Sequence, residues 1–422
     1  MVDLKNLLLE IVVVCSVAQT LGWGFKKLRQ PRVVGEMFAG ILLGPSLLGW
    51  LAPPAFVFLF PSGGLAPLYF LSQIGILLFM FQVGVGLDLQ QFRRLGRSVV
   101  ITSNISVLVP LVAGSTLALY LYPRLSSAKV PLPVFALFMG TAMSITAFPV
   151  LARILDERNL LQSPVGVISI SCAAVDDIAA WCLLAGLTAW VRSGRESSPW
   201  FTLAGLGAYL FVMICVVRPL LGRYSARQRE ISRETLAFAL LFLFFSAWTT
   251  ERIGVHALFG AFFAGAILPR NEAFTRSLAG HLEMITSVLL LPLFFAYTGL
   301  RTSIHLLSGG MVWFYCALIV LVAVLGKLFG CAVAGRASGM SWNNALSVGV
   351  LMNTRGLIEL VILNVGLDLG VISPMLFSMM VIMALVTTFM TTPVLALLSQ
   401  KGNPQLNHNP VASEVPPRFL FF

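Results

Sequence analysis

Residues 165–192 read VGVISISCAAVDDIAAWCLLAGLTAWVR. At 1.5 Å per residue such a run is long enough to cross about 30 Å of hydrocarbon. Near its middle stand two adjacent carboxylates, Asp176 and Asp177, and no basic residue shares the core of the stretch. An aspartate at the centre of a membrane helix costs roughly 2.5–3.5 kcal/mol, so a pair must be satisfied by something and marks a functional site. A buried aspartate can also act simply as helix glue, but two side by side are better explained by a small cation and protons competing for the carboxylates.

The composition agrees with a membrane setting. The 422 residues are 58% hydrophobic and only 11% charged, whereas a soluble domain carries about 25% charge. The first apolar run, Leu7 to Phe25, is followed by KKLRQPR rather than a small-residue cleavage site, so a retained span is expected instead of a removed leader. The net charge of +11 sits in loops, where orientation in the bilayer explains it better than nucleic acid does. The six cysteines lie in apolar spans without metal-ligand spacing and read as small packing residues. No histidines pair at helical spacing, and His256 reads as a hydrogen-bonded structural residue.

Apolar runs of spanning length fall at roughly 7–25, 33–50, 66–86, 98–121, 131–152, 165–191, 200–218, 234–250, 254–269, 283–300, 311–335, 343–365 and 374–399. That predicts an all-α integral membrane protein of about thirteen spans. With the N-terminus outside, alternation puts 19 of the 28 Lys and Arg residues on the inside and 7 outside, with Lys327 and Arg355 left within spans. This is the positive-inside asymmetry, and it predicts an outside N-terminus and a cytoplasmic C-terminus. The tail 401–422 is short and polar, too short for a nucleotide-binding or other regulatory fold.

Two spans look interrupted. Gly140, Thr141, Ser144, Thr146 and Pro149 break the run 131–154, and Gly349, Asn353, Thr354, Arg355, Gly356 and Glu359 break 343–365. Hydroxyls bonded one turn back and a proline kink could account for one such segment. Both together, in corresponding halves, predict a pair of unwound crossing helices lining a binding site. Counting from the inner edge, Asp176 lies about 17 Å deep and Lys327 roughly 12 Å. Lys327 could snorkel to the surface, or its ammonium could pair with one of the aspartates. Arg355 and Glu359, four apart, share a helix face and are expected to neutralise each other while holding the free carbonyls and dipole ends of the broken twelfth span. Neighbouring helical residues point about 100° apart, so one aspartate can take Lys327 while the other faces water and the ion. The lysine-paired carboxylate then keeps its charge, and the lone one exchanges a proton for a cation.

These residues resemble the monovalent cation:proton antiporter superfamily, in its second family of Kef-type and plant cation/proton exchangers. The matching stretches are VVGEMFAGILLGPSLLG (33–49), TAMSITAFPVLARIL (141–155), AVDDIAAW (174–181), LGKLFG (325–330) and NTRGLIELVILNVG (353–366). The resemblance implies inverted repeats, with a core bundle over about 98–191 and 311–399 that carries the two discontinuous helices. It also implies a dimerisation scaffold over about 7–86 and 234–300, a linker helix near 200–218, and elevator-like alternating access in a homodimer. By motif position Asp177 would carry the ion and the proton, and Asp176 would be the partner of Lys327. Thr141, Ser144, Thr146, Asn353 and Thr354 would line the site at the broken helices. Members with an Asp-Asp pair are electrogenic. The chain departs from regulated Kef-type members in having no nucleotide-binding domain within residues 1–422, so that form of gating is not expected.

The expected substrates are therefore Na⁺ or K⁺ and H⁺, with membrane lipid as surroundings, no cofactor and no nucleic acid. No catalytic constellation points to an enzyme. Two readings compete: an ion channel, which would pass current without proton coupling, and a sodium-coupled symporter of organic solutes on a related inverted-repeat fold. The symporter would use amides at the broken helices rather than an Asp pair with a core lysine.

Overall fold

The computed structural model describes residues 4–28, 30–61, 65–86, 97–126, 130–158, 160–161, 163–193, 199–225, 233–268 and 272–401. The loop cations Arg29, Arg93, Arg94, Lys129, Arg195, Arg227, Arg229 and Arg270, and the tail 402–422, lie outside the described residues. The described residues are helical, without strands. In chain order the helices are α1 (Leu4–Lys27), α2 (Arg32–Leu43), α3 (Leu48–Leu51), α4 (Pro53–Leu59), α5 (Leu65–Gly86), α6 (Arg97–Leu125), α7 (Leu132–Ser144) and α8 (Phe148–Glu157). They continue with α9 (Pro164–Ser193), α10 (Pro199–Val212), α11 (Arg218–Ser225), α12 (Arg233–Ile253), α13 (Ala257–Ala266), α14 (Glu272–Ile285) and α15 (Leu291–Leu300). The last four are α16 (Gly310–Ala337), α17 (Trp342–Leu351), α18 (Leu357–Asp368) and α19 (Pro374–Lys401).

Among the described residues ten helical segments are long and apolar enough to cross a membrane. The remaining predicted spans fall on shorter pieces. The run 131–152 is divided between α7 and α8, 343–365 between α17 and α18, and 254–269 holds only α13. Wide π-helical turns at Met213–Val217 and Thr286–Leu290 join α10 to α11 and α14 to α15. The second has a visible cause. Pro292 has no N–H to offer Val288 O one turn back, and the Gln19 side-chain amide supplies the missing donor at 3.0 Å.

Helix ends follow local chemistry. Ser341 caps α17 by accepting from Asn344 N at 3.4 Å, and the His256 ring accepts from Leu258 N at the start of α13. Gly370, at φ 69, closes α18 in the left-handed conformation, with Val371 N donating to Gly366 O at 2.8 Å.

Two sets of helix contacts stand out, and one buried apolar cluster runs through both, joining Met37, Ile76 and Phe262 to Phe138 and Phe377. In one, α6 lies against α7 and α16, α16 against α17, and α9 against α6, α7 and α8. In the other, α2 and α5 pack on α15, α5 on α13, and α1 on α2. Close backbone approach holds the second group together. A Cβ on Gly40 would collide with the Ala296 carbonyl, and one on Gly299 with that of Met37, so α2 and α15 touch only because both are glycine. Large apolar side chains such as Trp50, Phe58, Phe211, Leu241, Met284 and Phe329 point outward. A lipid-facing surface accounts for them. Of the cysteines, Cys172, Cys316 and Cys331 are buried, Cys182 and Cys215 are exposed, and all six are free thiols.

Candidate functional site

Both interrupted helices break where their sequences lose helical character, and the breaks meet. The chain leaves α7 at Ser144, runs extended through Ile145, and re-enters helix at Phe148. It leaves α17 at Leu351 and re-enters at Leu357. Ala147 N donates to Thr354 O at 2.9 Å, and the Thr146 hydroxyl donates to Met352 O at 2.9 Å, so the two unwound stretches lie against each other. Gly356 permits the contact, since a Cβ there would stand 2.7 Å from Val150 Cγ2. Two helix C-termini and two N-termini thus converge in a buried crossing, with orphan carbonyls on one side and positive dipole ends on the other.

Carbonyls at the end of α17 are satisfied close at hand. Val350 O accepts from Asn353 N at 3.1 Å, Leu351 O from the Thr354 hydroxyl at 2.7 Å, and Met352 O from Thr146. Arg355 is therefore free to reach across. Its Nη1 donates to Ala142 O at 2.8 Å and its Nη2 to Met143 O at 2.7 Å, capping the last turn of α7. This differs from the expectation that Arg355 serves its own broken span, and local bonding by Thr354 and Thr146 is the reason. Thr388 of α19 clamps the same residue, accepting from Arg355 N at 3.0 Å and donating to Arg355 O at 2.8 Å. Glu359 Oε1 lies 3.5 Å from Arg355 Nη1, the expected i,i+4 pair in loose form.

Lys327 reaches into the interior instead of snorkelling. Its side chain is fully buried, and Nζ donates to Asp176 Oδ2 at 2.6 Å, to Ser106 O at 2.9 Å and to Ser144 O. All three ammonium protons are thereby used. Asp176 Oδ1 also accepts from the Ser106 hydroxyl at 2.6 Å, and Oδ2 lies 2.9 Å from the Thr146 hydroxyl, whose one proton it shares with Met352 O. Such a buried pair is tolerable because both carboxylate oxygens and all three ammonium protons have partners.

Asp177 stands in contrast. It too is buried, yet its Oδ1 receives no hydrogen bond, and its identified donor is the backbone N–H of Phe148, the first residue of α8. Other acceptors share that condition: Thr141 Oγ1 and Asn353 Oδ1 are buried without a partner, although Asn353 Nδ2 donates to Val324 O at 3.3 Å. Ser144 Oγ donates to Thr141 O at 2.9 Å and offers only its backbone carbonyl to Lys327. Among the described residues no three His, Cys, Asp or Glu side chains gather as a metal cage.

The structure brings Asp176, Asp177, Lys327, Ser144, Thr146, Asn353, Thr354, Arg355 and Glu359 into and around one crossing. Ser106 and Thr388 were not singled out from the sequence. A signal for Ser106 existed in the cluster Thr102, Ser103 and Ser106 of α6, three polar residues that are all buried.

The chain matches the family model described as sodium/hydrogen exchanger, transmembrane, over residues 12–400. It is 44% identical over 399 residues to the Na(+)/H(+) antiporter NhaS4 of Synechocystis, covering 93% of this chain and 97% of that protein. Cation/H(+) antiporter 19 of Arabidopsis thaliana is 38% identical over 412 residues, 95% of this chain and 51% of its own length. K(+)/H(+) antiporter 1 of Saccharomyces cerevisiae is 32% identical over 401 residues, 92% of this chain and 45% of its own. The chain thus spans nearly all of the cyanobacterial relative and about half of the plant and yeast ones. In architecture it resembles the sodium proton antiporter MjNhaP1 of Methanocaldococcus jannaschii, with a TM-score of 0.69 over 94% of this chain and 98% of that one at 14% identity. A family match across nearly the whole membrane region, around a crossing of two broken helices, makes this multi-pass membrane protein a member of the sodium/hydrogen exchanger transmembrane family.

Proposed function

We propose that the protein exchanges a monovalent cation, Na⁺ or K⁺, for protons, with Asp177 as the carboxylate that holds either. The observation that carries this reading is the asymmetry of the aspartates. Asp176 is locked by Lys327, Ser106 and Thr146, whereas Asp177 has an oxygen with no donor at the mouth of α8. A proton and a metal ion cannot occupy the same carboxylate oxygens, so loading one ejects the other. Relatives named for Na⁺/H⁺ and for K⁺/H⁺ exchange support the reaction without choosing the metal. A channel would not need one of its carboxylates neutralised and immobilised so completely.

The thirteen-span reading counts α7 with α8, and α17 with α18, as one crossing each and treats α13 as a short span. In that scheme α6–α9 and α16–α19 form the core bundle as inverted repeats, α1–α5 and α12–α15 the scaffold through which two copies pair, and α10–α11 the linker. The basic-residue bias supports an outside N-terminus and a cytoplasmic C-terminus. Alternating access is then a sliding of the core along the scaffold. Arg301, just after α15, donates to Asp368 Oδ1 at 2.7 Å and Asn364 Oδ1 at 2.9 Å on α18, a tie that this motion must break.

The deciding experiment is a proteoliposome assay with an internal pH dye, in which Na⁺, K⁺ and Li⁺ are added in turn. Cation-driven alkalinisation by the wild type, lost in Asp177→Asn, is the expected outcome. Ion flux that ignores the pH gradient removes the proposal.

A further inference from the structure

Five buried carboxylate, ammonium or guanidinium side chains surround the crossing among the described residues of α6–α9 and α16–α19 and the stretches joining them: Lys327, Arg355, Asp176, Asp177 and Glu359. Four have defined work, two as helix caps, one as the lysine's partner and one as the ion site. Glu359 has none of these. Both of its oxygens are buried without a hydrogen bond, and its nearest cation, Arg355 Nη1, is at 3.5 Å and already engaged with Ala142 O. As a helix cap it fails as well, for no backbone N–H at the start of α18 reaches it. A fully buried carboxylate with so few contacts is expensive for a merely structural role.

What Glu359 supplies is charge. Lys327 and Arg355 contribute two positive charges, and Asp176 and Glu359 balance them. Asp177 is left over, and the set is neutral when that carboxylate holds a single positive charge. An empty site leaves one net negative charge in a low-dielectric interior, and a divalent ion leaves one net positive. The neighbouring elements do not alter the balance. The charged groups that act on Glu359 are Arg355 from its own segment and Lys327 from α16; of the helices packed on α18, α9 carries the two aspartates, while α7, α15 and α19 carry buried hydroxyls such as Thr141, Thr298 and Thr388.

We propose that Glu359 is a specificity-determining residue whose negative charge makes the crossing neutral only with one monovalent charge on Asp177. It thereby admits H⁺ or an alkali ion and turns away divalent cations. This deepens the exchange reading and rests on it. Removing the glutamate charge leaves the loaded site with a net positive charge. Across about one helix diameter, roughly 10–12 Å, a unit charge at an effective dielectric near 20 is worth about tenfold in an equilibrium constant.

The test is cation-driven exchange in proteoliposomes at fixed pH, comparing wild type, Glu359→Gln and Glu359→Asp. Glu359→Gln should raise the KM for Na⁺ or K⁺ about tenfold with a maximal rate within about twofold of wild type, and Glu359→Asp should recover most of the affinity. An unchanged KM, or a loss confined to maximal rate, overturns the proposal. A second arm is independent of any variant's folding: Mg²⁺ or Ca²⁺ should not displace the alkali ion from wild-type protein, read as cation-dependent thermal stabilisation in detergent. Displacement at comparable concentration also overturns it. Loss of exchange by the wild type would instead count against the exchange reading itself.

Discussion

Replacing Lys327 by methionine keeps most of the buried stem and deletes the ammonium. Three acceptors lose a donor: Asp176 Oδ2, Ser106 O and Ser144 O. Breaking one partner out of a buried ion pair costs about 3–5 kcal/mol, because the other charge stays desolvated and unpaired. The Ser106 and Thr146 hydroxyls still donate to Asp176, which points to the lower end, about 3 kcal/mol. Asp176→Asn should cost slightly less, about 2–3 kcal/mol, since an amide oxygen can still accept from Lys327. If the groups form a pair, the double variant should lose little more than the worse single one, giving a coupling energy of about 2 kcal/mol or more. The assay is unfolding of the purified protein in detergent for all four members of the cycle, with exchange measured in parallel. Additivity to within about 0.5 kcal/mol refutes the reasoning, because it would mean that the ammonium and carboxylate do not depend on each other.

Other predictions follow the same geometry. Asp177→Asn should abolish exchange while leaving stability within about 1 kcal/mol of wild type, because that side chain has few donors to lose; a collapsed melting profile would assign Asp177 a structural role. Arg355→Lys should cost about 2–3 kcal/mol, since an ammonium cannot reproduce the fork that bonds Ala142 O and Met143 O together, and an unchanged melting temperature would count against that cap. Gly40→Ala should drive α2 off the Ala296 carbonyl at a cost of about 1–3 kcal/mol, detectable in the same melt. Arg301→Ala should change stability by no more than about 1 kcal/mol, because its partner Asp368 is partly exposed. The same substitution should still alter exchange rate and the reactivity of an engineered outer-face cysteine if the tie gates movement.

Much of the fold was legible because the bilayer imposes few solutions. Long apolar runs become helices, so α1, α5, α6, α9, α12, α16 and α19 stand close to where hydropathy puts them. The two breaks were legible too, since residues such as Ser144, Thr146, Asn353 and Arg355 have no reason to sit at membrane depth in a continuous helix. The lengths of some segments were not. The Gln19 amide that mends the π turn before Pro292 lies far away in sequence, and the extension of α14 back to Glu272 is amphipathic, which hydropathy discounts.

At the site, residue identities were readable and their pairings only partly so. Counting depth brought Lys327 near the level of the aspartates, because two parallel rulers of known rise need no tertiary information, but motif position rather than depth chose Asp176 as its partner. The reach of Arg355 to α7 could not be read this way. It depends on Thr354 and Thr146 having already satisfied the end of α17, a question of which donor arrives first in space. The result is a crossing in which each broken helix completes the other: Arg355 from the second caps the first, and Thr146 from the first caps the second. Ser106, Thr146, Lys327 and Asp176 are bound into that frame, and none can change partners without exposing an orphan carbonyl or charge. Asp177 is outside it, next in sequence and turned about 100° away, so its occupant can change while the frame that positions it does not.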